Sequence, residues 1–141
     1  MDKSAYAYTL DFKVRDYECD LQGVVNNGVY QNYLEHTRHE FFLSEGIDFA
    51  DLCRRNIHLV VVRAELDFMA SLVSGDSFWV GTTIQPSSKI RFEFLQDIYR
   101  ATDNKKMLAA RIVCTGLNER GRPYLPDEVR QLLDRFSRSN D

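Results

Sequence analysis

Tyr6, Tyr8, Leu10, Phe12 and Val14 alternate with Ala7, Thr9, Asp11, Lys13 and Arg15. A period of two places one face of a strand in a core. The alternation breaks over Asp16 to Val25, a stretch that holds Gly23 and reads as a loop. Tyr30, Tyr33, Leu34, Thr37 and Phe41 then recur at helical spacing. They predict a long helix of about five turns, starting near Asn26 or Asn27 and ended by Gly46. "DFADLCRR" predicts a short second helix. Period two returns in Leu59 to Phe68, with Val60, Val62, Ala64, Leu66 and Phe68 expected on one face. Strands follow at Ser77 to Ile84, Ile90 to Ile98 and Met107 to Leu117, separated by "SGD", "PSS" and "TDNKK". "NERGRPYLP" reads as a loop. Pro126 and Asp127 open a last helix with Val129, Leu132, Leu133 and Phe136 on one side, and the tail at 137–141 is expected to fray.

Short turns between successive strands imply antiparallel pairing. A long helix with an apolar stripe needs a sheet to cover it. The pattern therefore predicts an α+β domain, 1–141, with a curved antiparallel sheet wrapped around the first helix and a short C-terminal helix.

Composition narrows the function. The 141 residues are 44% hydrophobic and 28% charged, with a formal net charge of -3. Interspersed charge argues against a nucleic-acid partner and against a basic membrane patch. No apolar run has the length of a membrane span. The start "MDKSAYAYTL" lacks a signal core, so a cytoplasmic location is expected unless a leader has been removed. Cys19, Cys53 and Cys114 are odd in number and widely spaced. They predict buried free thiols rather than disulfides or a zinc site.

The candidate chemistry gathers where the first strand hands over to the helix. Asp20 lies in the loop that leads to a helix N-terminus, whose free amides and positive dipole end suit a polarised carbonyl oxygen. An apolar helix beside it can shelter an acyl chain. A carboxylate in this setting suits acyl transfer, by activating water or by attacking the carbonyl, although a lone loop aspartate is more often a cap. Glu18 reads as a solvated charge, and Asn27 as a cap before it is a substrate contact. Glu35 reads equally as a surface partner of Arg38 or His39 and as a holder of water at the site. His36 and His39 have metal-ligand spacing but no evident third ligand, so no metal is expected. Ser87, Ser88, Lys89 and Arg91 form a cationic turn, either a solvated tip or a landing place for carrier phosphates; Arg111, Arg120 and Arg122 are weaker candidates. Neither a "GxSxG" elbow nor a phosphate loop is present.

The stretch "RDYECDLQGVVNNGVYQNYLEHTRHEFF" resembles the hotdog-fold thioesterases of the 4-hydroxybenzoyl-CoA thioesterase family. The resemblance rests on Asp20, Gly23, Val24, Val25, Asn26, Asn27, Tyr30, Tyr33, Glu35 and Arg38, supported more weakly by "AELDFMASLVSGDSFWV". The wording is similar to the branch that includes plant acyl-lipid thioesterases. The resemblance implies a five-stranded antiparallel sheet around a central helix, and dimers or tetramers with active sites at subunit interfaces. It implies catalysis by Asp20, with Asn27 and Glu35 ordering water or supporting the loop. Substrate contacts would fall on Gly23, Val24, Val25 and Tyr30, and on His58, Leu59 and Val60, where a backbone amide from across the interface would hold the oxyanion. Ser88, Lys89 and Arg91 would meet the coenzyme A or carrier.

The expected activity is hydrolysis of acyl-CoA or acyl-carrier-protein thioesters, with no cofactor, since a thioester is already activated. An aliphatic acyl group is preferred because the interior is apolar; an aromatic acyl-CoA is the alternative. A hydratase would want a histidine near the helix start, and none stands between Asp16 and Glu35. A non-catalytic thioester-binding hotdog protein is the reading from a different class.

Overall fold

Each alternating segment forms a strand, and each helical pattern a helix. In this computed structural model residues 2–138 are described. The elements run β1 (Tyr8–Lys13), α1 (Asn27–Ser44), α2 (Phe49–Arg54), β2 (His58–Phe68), β3 (Ser77–Pro86), β4 (Arg91–Arg100), β5 (Lys106–Leu117), β6 (Pro123–Tyr124) and α3 (Asp127–Arg138). The sheet order is β1-β3-β4-β5-β2, with all neighbours antiparallel. β1 and β2 are thus the two edges, and α1, which connects them in the chain, crosses the inner face.

The apolar stripe of α1 explains why the sheet curves around it. Leu34, Phe41 and Phe42 are fully buried, against Phe92, Phe94 and their neighbours on β4. Phe12 and Tyr33 close the other side over Phe78. α3 seals the end of this core through Val129, Leu132 and Leu133, with Phe136 against Phe41. This is the expected hotdog arrangement.

Three local expectations are corrected. The segment read as loop after β5 contains β6, paired through Gly116 to Tyr124 and Leu117 to Pro123. A Cβ at Gly116 would stand 2.6 Å from Pro126, so the missing side chain admits this return. In β2 a bulge between Val61 and Arg63 shifts the register, so the alternation changes phase. Leu59 and Leu66 pack on the core, Val61 and Ala64 line the space beside α1, and Phe68 meets Tyr30. Val62, expected among them, is 42% exposed. Of the three cysteines only Cys114 is buried; Cys53 is exposed and Cys19 intermediate. The tail expected to fray is helical to Arg138 and beyond that lies outside the described residues.

Candidate active site

The loop between β1 and α1 is ordered by its own backbone and by Glu18. A 3-10 turn at Asp16–Glu18 folds the chain back, and Glu18 Oε1 accepts from the Arg15 amide and from Tyr33 Oη, each at 2.8 Å. Burial and this bond push the Tyr33 hydroxyl well above the usual phenol range, so it stays a donor. Glu18 is therefore not a solvated charge but the tie between the loop and α1.

Beyond it Cys19 pairs with Val25, and the Asp20 amide donates to Val24 O at 2.9 Å. Gly23 takes φ +82, a conformation that favours glycine, and its amide donates to Asp20 O. Asp20 thus starts a tight, paired turn. Its Oδ1 accepts from the Gln22 amide at 2.8 Å, and the carboxylate is exposed. Val25 N donates to Leu72 O, and Leu72 N to Tyr30 Oη, so the 70–73 segment braces the same corner.

The return leg of the turn runs straight into α1. Asn26, not Asn27, is the N-cap, its Oδ1 accepting from the Gly28 amide at 3.0 Å. Asn27 is the first helical residue and is exposed. A carboxylate, a capped helix start and an opening of apolar side chains stand together here. Leu21 is fully exposed, and Phe68, Met69 and Val73 are 43–53% exposed around the corner.

Gly23, Val24, Val25, Asn27 and Tyr30 gather at this end with Asp20. Tyr30 is buried and serves the core as well as the brace on Leu72. Glu35 stands eight residues along α1 from Asn27, roughly 12 Å down the axis. It pairs with His39 at 3.8 Å and borders an apolar cavity. His36 and His39 pack on different rings, Phe12 and Phe49, and do not converge.

His58, Leu59 and Val60 lie at the opposite end of the sheet. β2 runs ten residue steps from His58 to Phe68, about 33 Å, and the Asp20 corner is at the Phe68 end. The cationic turn shares the His58 end, because Arg91 pairs with Thr115, which pairs with Val60. Ser87 and Ser88 amides both donate to Arg91 O, so this turn is ordered and exposed. Arg111 is held by Glu93 at 2.9 Å. In one chain the two groups of candidate residues thus lie at opposite ends of β2.

Two adjoining cavities run along α1 toward β2. One, about 140 Å³, is lined by Gln31, Leu34, Arg38, Val61 and Ala64 among others. The other, about 180 Å³, continues past Arg38 to Phe42, Phe49, Phe92 and Phe94. Arg38, marked by the sequence only as a motif residue and a possible partner of Glu35, enters this slot, and the buried Gln96 stands behind it; the sequence assigns neither a role there. The available signal was polar residues on buried faces, Arg38 four positions after Leu34 and Gln96 in phase with Phe92, Phe94 and Ile98.

The profile of the Thioesterase-like superfamily matches residues 14–133. Two chloroplastic acyl-acyl carrier protein thioesterases of Arabidopsis thaliana are similar in sequence. One is 36% identical over 135 residues, covering 95% of this chain and 71% of the relative. The other is 38% identical over 130 residues, covering 92% and 69%. Among solved structures, a 1,4-dihydroxy-2-naphthoyl-CoA thioesterase from Synechocystis superposes with a TM-score of 0.85 at 22% identity, covering 92% of this chain and 97% of that one. That likeness concerns the fold.

Proposed function

The chain belongs to the thioesterase-like superfamily and is a thioester hydrolase, and from that premise we propose that it cleaves acyl-CoA or acyl-carrier-protein thioesters with Asp20 as the catalytic carboxylate. The observation that carries this reading is the paired turn that presents Asp20, exposed, beside the capped start of α1. With Oδ1 tied to the Gln22 amide, the other oxygen is free to take a proton from water. The water oxygen then attacks the thioester carbonyl carbon, the tetrahedral oxyanion collapses, and the thiolate leaves and is protonated. Direct attack by Asp20 would instead give a mixed anhydride that water opens. In single turnover in heavy-oxygen water, label in Asp20 marks an anhydride that water opens at the aspartyl carbon, whereas water activation puts the label in the acid product alone. Asn27, at the helix start, is placed to order the water.

The working unit in this proposal is a dimer joined through β2. β2 is a long edge strand whose outer row of backbone groups is unpaired, and Val61, Val62, Phe68 and Met69 are 42–53% exposed along it. Such an edge is a template for a second strand. A two-fold axis at the middle residue, Arg63, sets His58 of one copy opposite Phe68 of the other. Phe68 touches Tyr30 in the first turn of α1. The pairing therefore brings the His58–Val60 amides, with the Ser88, Lys89 and Arg91 turn behind them, to the Asp20 corner. An amide there holds the oxyanion, and the cations meet carrier phosphates.

No described helix is long and apolar enough to cross a membrane. A cytoplasmic location is proposed on the unpaired Cys19, Cys53 and Cys114, which suit a reducing compartment.

The test is hydrolysis of a panel of aliphatic and aromatic acyl-CoA and acyl-carrier thioesters by the natural protein and by Asp20→Ala. The variant is expected to lose about a hundredfold or more in kcat. Full activity in Asp20→Ala, or no thioester cleaved at all, would sink the reading.

A further inference from the structure

The slot beside α1 is not uniformly apolar. Arg38 enters it where its two cavities meet, bordered by Val61 and Glu35. One guanidinium nitrogen, Nη1, donates to Gln96 Oε1 at 3.0 Å. Gln96 is itself fully buried, and its amide nitrogen donates to Leu34 O and to Thr82 Oγ1, each at 3.1 Å. With both its donors committed, Gln96 cannot rotate, so it fixes Arg38 in place. The guanidinium also lies 5.8 Å from the Phe94 ring centroid. Among the described residues no carboxylate stands within ion-pair distance of it; Glu35, on the same slot, acts on it through space and lies 3.8 Å from His39. Burial pulls the Arg38 pKa down, yet guanidinium stays charged at any physiological pH. Arg38 is part-buried beside Phe42, Phe92 and Phe94, and an apolar chain filling the slot would strip solvent from its remaining donors, which is costly unless an oxygen of that chain replaces it.

Position says where that oxygen sits on the substrate. Gln31, one turn after the helix start, lines the slot, and Arg38 is eleven residues beyond Asn27, roughly 16 Å along the axis. A thioester carbonyl held at the helix start leaves the carbons next to it far short of Arg38.

We propose that the slot takes acyl groups carrying an oxygen near their distal end, and that Arg38, positioned by Gln96, selects for that oxygen. This deepens the thioesterase reading and rests on it. The oxygen accepts from the free N–H groups of the guanidinium, while the intervening chain lies against Leu34, Val61 and Ala64. A plain aliphatic acyl group fills the same space but leaves Arg38 unanswered, and is the poorer ligand. The apolar character of the interior, which favours an aliphatic acyl group on sequence grounds, is thus qualified by one charge.

Thioether analogues of coenzyme A test this without turnover and with the chain's direction fixed. S-dodecyl-CoA and its ω-hydroxy counterpart are titrated by calorimetry into the full-length protein and into Arg38→Met. The natural protein should bind the ω-hydroxy analogue roughly tenfold or more tightly than the plain one. In Arg38→Met the ratio should fall to about one. Should Arg38→Met fail to fold, Arg38→Lys serves, since a compact ammonium does not reproduce the fork that reaches both Gln96 and ligand, and the ratio should again shrink. Equal binding by the natural protein, binding of neither analogue, or an equal drop for both in the variant overturns the inference. Hydrolysis of the corresponding acyl-CoA thioesters runs in parallel. Hydrolysis without selectivity rejects this inference alone, and selective binding without hydrolysis of any thioester rejects the thioesterase reading alone.

Discussion

At the scale of single residues, the carboxylates divide by what they touch. Glu18 is bonded to Tyr33 and the Arg15 amide and acts on the site through the loop it holds. Asp20 is bonded only to its own turn and is open to a substrate. Glu93 is buried on β4, where Arg111 and Gln85 hold it at 2.9 and 2.8 Å. The Arg111 bond, ahead of the opposing burial and with help from Gln85, keeps its carboxyl below the usual range. A group with a depressed folded pKa stabilises the fold above its unfolded pKa, about 4.3 for glutamate, and that contribution is lost as pH falls through the folded value. Thermal melts between about pH 6 and pH 3 should therefore show Tm dropping below about pH 4.3, with a shallower drop in Glu93→Gln. Parallel slopes in the two proteins would remove Glu93 from the acid lability.

At the scale of elements, α1 has two duties. Its C-terminal half packs the core through Phe41 and Phe42, and its first turn faces the chemistry. The cap belongs to Asn26, so Asn26→Ala should cost about 1 kcal/mol in a denaturant titration. Asn27→Ala, at an exposed first-turn position, should change stability by less than about 0.5 kcal/mol. A reversed order would put the cap back on Asn27. The long helix was legible from its stripe, because burial of one face imposes a 3.6-residue period whatever the partner is. The cap was legible only to within one residue, since two adjacent asparagines carry the same chemistry and backbone geometry alone chooses between them. The β2 bulge left no mark in the pattern: a run of valines reads as apolar in either phase.

At the scale of the molecule, one copy is an incomplete enzyme in this reading. Its Asp20 corner and its His58 end are about 33 Å apart along β2, and a second copy closes the gap. The family supports acyl thioester substrates and association in general terms; the β2 interface is this proposal's own. Val62→Lys places two like charges beside the two-fold axis, on a residue that lines neither cavity. Sedimentation should show the natural protein as a dimer or larger and the variant shifted to monomer. Activity should fall with it while circular dichroism is retained. An unchanged sedimentation coefficient would place the interface elsewhere.

The sequence by itself determined the five long strands, the two main helices, their order and the corner where Asp20 stands. Those features follow from local periodicity, from turn chemistry such as Gly23, and from a motif contiguous in the chain. Only the tertiary structure decided that Glu18 is a tie, that β2 is an open edge, that Arg111 is engaged, and that Arg38, held by Gln96, puts a charge inside the slot beside α1. The three side-chain contacts among these join residues 15 to 58 positions apart, and no local pattern encodes such a meeting. A lone arginine on a helix looks the same in sequence whether solvent or phenylalanine surrounds it; here the sheet that wraps α1 made the difference.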